Sequence, residues 1–124
     1  MTASPTSAEM DVYAATARSR ARARLERLEA RRRRALALAQ RAALLLKEDF
    51  GACRVAVFGS VLRPKLFHER SDVDLAVWGL DEHVYLRALA ALLDLEPEIS
   101  VDLVEAEQAQ PGLTQVIETE GVAL

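Results

Sequence analysis

The sequence predicts an α/β domain: a small mixed β-sheet covered by helices, with a long helical arm ahead of it. Two observations carry this. Residues 9–50 contain no Pro or Gly and are dominated by Ala, Leu, Arg and Glu, whose side chains lose little freedom on a helix. Beyond Gly51 the pattern changes to short apolar stretches of period two, broken by turn residues and one helical stretch, which reads as strands alternating with helices. At 124 residues the chain suits one domain and is too short for two independent cores.

Residues 1–8 (MTASPTSA) are small and polar and read as a disordered, frayed terminus. The helical arm of residues 9–50 stops at Gly51, a residue suited to the left-handed conformation at helix ends. Leu25, Leu28, Leu36 and the triplet Leu44, Leu45 and Leu46 do not keep a heptad. A bend or two helices is therefore expected rather than a long coiled coil. Residues 38–46 should pack on the body, leaving the arginine-rich half solvated or bound to a partner.

Residues 51–124 form the predicted body. Strands are expected over residues 54–58 (RVAVF), 72–78 (DVDLAVW) and 98–104 (EISVDLV). Asp81 is a candidate N-cap for a helix reaching about Leu93, with Tyr85, Leu89 and Leu92 on one face and Pro97 after its end. Residues 114–120 suggest a short last helix.

The net charge of −3 hides an asymmetry. Nine of the sixteen basic residues lie between Arg18 and Arg34, whereas from Glu48 onward fifteen acids face five bases. Such an arm can meet an acidic protein partner, its own acidic body or nucleic acid, and a protein contact is preferred over RNA. Cys53 is the single cysteine, so no intrachain disulfide forms, and a reducing cytosol and a buried position are expected for it. The first seven residues lack the apolar core of a signal peptide. Gln40, Arg41 and Lys47 interrupt the best apolar run well short of the ~18 residues of a membrane span. A soluble, cytoplasmic protein is expected.

The chemistry concentrates on the second and third strands. Side chains alternate faces along a strand, so Asp72 and Asp74 project opposite to Val73, Leu75 and Val77. Asp102 likewise projects opposite to Val101 and Leu103. With the apolar faces buried together, three carboxylates converge on one side. Converging like charges repel, and a divalent cation removes that cost. Oxygen ligands of this kind suit Mg²⁺, which shares its shell with phosphates and water. Paired aspartates can grip two ions roughly 3.5–4 Å apart, the spacing of in-line phosphoryl chemistry. Gly59 and Ser60 follow the first strand, where backbone N–H groups attract anions as a helix begins. Gly59 permits close approach of a phosphate, and Ser60 can donate its hydroxyl while capping that helix.

The ordered set resembles the nucleotidyltransferase superfamily of the DNA polymerase β type, and within it the minimal nucleotidyltransferases. The resemblance runs from about Arg54 to Leu124 through Val57-Phe58-Gly59-Ser60, Arg63, Ser71-Asp72-Val73-Asp74-Leu75-Ala76-Val77, Val101-Asp102-Leu103-Val104 and Ile117-Glu118-Thr119-Glu120-Gly121-Val122. It implies a nucleotidyltransferase fold that binds ATP as substrate. It further implies two Mg²⁺ ions at Asp72 and Asp74, with Asp102 as a ligand and base. Gly59, Ser60, Arg63 and Ser71 would bind the nucleotide. Members often carry Gly after the arginine, where this chain has Pro64 and then Lys65-Leu66-Phe67-His68, so the helix after Ser60 is expected to be short.

The resemblance extends to antitoxins whose partner is a HEPN-type helical ribonuclease toxin and which transfer AMP to a toxin tyrosine. The body has no second domain to enclose a small substrate, which favours a partner that brings its own surface. Two alternatives stand beside this. One is a transferase for small molecules of the aminoglycoside type, its site completed by homo-oligomerisation. The other is a module that neutralises a toxin by contact alone. His68 and His83 are expected on the surface, and Trp78 in the core or at a rim.

Overall fold

The computed structural model describes residues 4–124. Helix α1 (Ser7–Phe50) runs 44 residues without interruption, about 66 Å at 1.5 Å per residue. The expected break into two helices does not occur, because continuity follows from backbone propensity and the absence of Pro and Gly. An irregular leucine register constrains only the half that packs. The start is also earlier than expected. Thr6 and Glu9 close a capping box, with the Thr6 hydroxyl accepting the Glu9 N–H at 3.1 Å and the Glu9 carboxylate accepting the Thr6 N–H at 3.1 Å. Residues 6–8 are thus ordered by their own side chains rather than frayed, and the first three residues lie outside the described ones. At the far end Gly51, with φ of 74°, donates its N–H to the Leu46 carbonyl.

Strands β1 (Arg54–Phe58), β2 (Val73–Trp78), β3 (Val101–Glu105) and β4 (Val122–Ala123) form one sheet in the order β3-β2-β1-β4. β1 is antiparallel to both neighbours, and β2 and β3 run parallel. Helix α2 (Tyr85–Leu93), preceded by a 3₁₀ turn at Glu82–Val84, provides the crossover between that parallel pair. Asp81 accepts the His83 N–H at 2.9 Å at the start of this turn. Helix α3 (Pro111–Glu120) precedes β4. The two-residue β4 and the three-residue earlier start of α3 were not foreseen.

The core lies between α1, α2 and one sheet face. Ala35, Leu38, Ala39, Ala42 and Leu46 of α1 meet Val55, Val57, Val73, Leu75, Val77, Val101 and Leu103 of the sheet, with Ala88 and Leu92 of α2. Alanines on this stripe bring the helix axis close to the strands. The opposite face is covered only in part. Ile117 of α3 packs with Phe58 and Ala76, joined by Trp78, Val104 and Leu113. The uncovered remainder of that face carries the aspartates.

Candidate active site

The sheet register sets the geometry. Asp74 lies opposite Asp102 on β3 and opposite Phe58, the last residue of β1. Cross-strand partners share a face, so the two carboxylates sit side by side, with Asp72 projecting the same way just ahead of β2. Asp102 and Asp72 are exposed, while Asp74 is half-buried. Burial, then the charges of Asp102 and Asp72, push the Asp74 carboxyl up to about 6. The register thus brings Asp74 and Asp102 together, as strand alternation led one to expect.

Gly59 completes the site. It adopts φ of 83° and ψ of −157°, a conformation reserved for glycine. Any Cβ there would overlap the Asp74 carboxylate oxygen. The turn after β1 is thus pressed against the central aspartate, with bare backbone at the contact. A single 3₁₀ turn (Ser60–Leu62) follows, which agrees with the short helix anticipated from Pro64. Ser60 occupies its first position, and Gly59 is the cap residue with no side-chain cap bond. The capping role expected of Ser60 is therefore not realised, because the turn begins one residue earlier. Its hydroxyl is left half-exposed at the turn.

The other candidates take different places. Arg63 pairs through Nη2 with Glu120 at the end of α3. Ser71 is 5% exposed, and its Oγ accepts the His68 N–H at 2.9 Å, which braces the loop entering β2. His68 and His83 are exposed as expected. Trp78 lies four residues along β2 from Asp74, about 13 Å away by strand rise, with the Arg54 guanidinium 4.0 Å over its ring. Cys53 is exposed and not buried as expected, because it falls in the bend before β1 rather than on the strand.

Among the described residues, no group of three or more His, Cys, Asp or Glu side chains is placed to hold a metal ion by itself. The carboxylates line an open face instead. That arrangement fits Mg²⁺, an ion that draws much of its shell from phosphate oxygens and water. Burial and then the neighbouring carboxylates raise the Asp74 pKa, and a bound cation would offset both.

Sequence reasoning missed the arginines at the foot of the arm. Arg32 Nε donates to the Val61 carbonyl at 2.8 Å. Arg31 donates to the carbonyls of Glu98 at 3.2 Å and Ser71 at 3.5 Å, and Arg34 pairs with Glu96 and Glu98. Their place in a run of arginines concealed them, and only tertiary packing separates them from the exposed ones before.

A small mixed sheet sets paired carboxylates against a glycine turn. Residues 42–124 match the family model described as Polymerase beta, Nucleotidyltransferase. The chain belongs to this nucleotidyltransferase family. It is 36% identical to a chain assigned as a minimal nucleotidyltransferase, with a TM-score of 0.50, covering 81% of this chain and 95% of that one. A toxin–antitoxin structure with AMP-PNP is 26% identical, with a TM-score of 0.55 over 67% of this chain and 69% of that one. A third structure holds a tri-AMPylated Shewanella oneidensis HEPN toxin in complex with an MNT antitoxin. At 23% identity, with a TM-score of 0.54 over 71% of this chain and 69% of that one, it speaks for the fold alone. The search of curated proteins returns no match. Among the described residues no helix is long and apolar enough to cross a membrane.

Proposed function

We propose that the chain transfers AMP from ATP to a tyrosine of a HEPN-type toxin partner and acts as its antitoxin. The observation that carries the transfer reading is the contact of the Gly59 turn with Asp74, itself in register with Asp102. A phosphate-accepting backbone turn and a carboxylate pair meet at one point. The partner reading is supported by the likeness to a toxin–antitoxin structure with AMP-PNP and by the exposure of Asp72 and Asp102.

In this reading the N–H groups after Gly59 and the Ser60 hydroxyl hold the triphosphate. Asp72 and Asp74 would hold two Mg²⁺ ions, which supply charge neutralisation at the phosphates. The acceptor oxygen attacks the α-phosphorus, the bond to pyrophosphate breaks, and the acceptor proton passes to Asp102. Arg63 would leave Glu120 to reach the phosphates, and Ser71 would shape the nucleotide pocket through the loop it braces.

The exposed stretch of α1 from Arg18 to Arg27 would hold an acidic surface of the partner. Calorimetry of ATP binding with Mg²⁺ and with EDTA tests the site. Appreciable binding is expected only with the metal, and equal affinity in both conditions would overturn the reading.

A further inference from the structure

We propose that Arg31 and Arg32 are positioning residues: Arg32 sets the phosphate turn, and Arg31 sets the spacing of the aspartate-bearing strands. This rests on the transferase reading for its purpose, but not for its geometry.

Pro64 is the origin of the first half. In a 3₁₀ or α turn, the Val61 carbonyl would accept an N–H from residue 64 or 65. Residue 64 is proline and has none, and the chain leaves the turn at Arg63, which is extended. Val61 is fully buried, so its carbonyl needs a donor. Arg32 Nε supplies one at 2.8 Å from α1. The departure that shortens the turn is thus compensated by the arm, and the compensation fixes the segment carrying Gly59 and Ser60.

The second half concerns the entrances to β2 and β3. Arg31 donates to Ser71, the residue before Asp72, and to Glu98, in the loop leading to β3. Between these loops the Val73 N–H donates to the Ser100 carbonyl at 3.0 Å. One guanidinium therefore spans the two loops that lead into Asp72–Asp74 and Asp102. Arg34 reinforces the second loop through Glu96 and Glu98. Arg33, exposed on the same turn, is the natural control.

The test uses the full chain with Arg31→Met, Arg32→Met, Arg32→Lys and Arg33→Met. Amide hydrogen exchange should separate two roles. Arg32→Met should speed exchange at Leu62 and Arg63, whose N–H groups close the turn, and Arg31→Met should speed it at Ser71 and Val73. Arg33→Met should change neither pair. Arg32→Lys should partly restore protection at Leu62.

Binding provides the second readout. Arg32→Met should weaken ATP about tenfold at saturating Mg²⁺, whereas Arg31→Met should raise the Mg²⁺ concentration needed for half-maximal ATP binding. Uniform acceleration of exchange across the sheet would reveal a general stability effect and overturn the proposal. So would unchanged exchange at both pairs. If the unaltered chain fails to bind ATP with Mg²⁺, the transferase reading falls, and the exchange pattern alone decides the positioning roles.

Discussion

Asp74 occupies a half-buried position with Asp102 beside it and a glycine turn pressed on its carboxylate. Its folded-state pKa of about 6 lies above the ordinary 3.8, so the native state holds the proton more tightly than the unfolded chain. Stability of the metal-free protein should therefore fall as pH rises from about 4 to about 6 and level off above. Asp74→Asn removes the ionised group. It should raise the metal-free melting temperature at pH 8, with the gain shrinking toward pH 4, while abolishing nucleotidyl transfer. Thermal unfolding in EDTA across this range checks it, and a gain independent of pH would contradict it. Asp72 and Asp102 were readable because strand periodicity assigns each carboxylate to a face. The role of Arg32 was not readable, because a donor missing at Pro64 is supplied by a residue about thirty positions earlier.

Helix α1 is two different objects on one backbone. From Ala35 to Leu46 it is a core element, with Ala35, Leu38, Ala39, Ala42, Ala43 and Leu46 buried on one stripe. Ahead of Arg27 it is an exposed rod, with Tyr13 68% and Leu25 67% exposed. Leu38→Ala should then cost about 2–5 kcal/mol, the range for emptying a packed leucine site. Leu25→Ala should stay within about 0.5 kcal/mol, as for exposed positions. Urea unfolding monitored by circular dichroism measures both. The helix was legible from composition and its stop from Gly51, but its continuity was obscured by reading the leucines as a packing register. β4 escaped notice for another reason. Two residues cannot show a period, and Val122–Ala123 is a strand only because β1 offers a free edge.

Arg31, Arg32 and Arg34 hydrogen-bond the arm to the body, and the exposed stretch lies ahead of them. Removing residues 1–27 should leave ATP binding intact, since every hydrogen bond from α1 to the body lies beyond that point among the described residues. The same truncation should weaken binding of a HEPN partner. Raised salt should weaken the full chain's binding in parallel, because exposed charges are screened beyond ~8–10 Å. Titration of the partner with both forms at low and high salt decides the matter, and an unchanged partner affinity would remove the arm from the interface. The arm also alters how this molecule tumbles and sieves. A compact chain of this length has a radius of gyration of about 14 Å, far below the about 66 Å extent of α1. Friction will exceed that of a sphere of equal mass, and early elution from a sizing column will mimic a dimer. Light scattering or sedimentation equilibrium, which weigh particles without assuming a shape, are the measurements that can count its subunits.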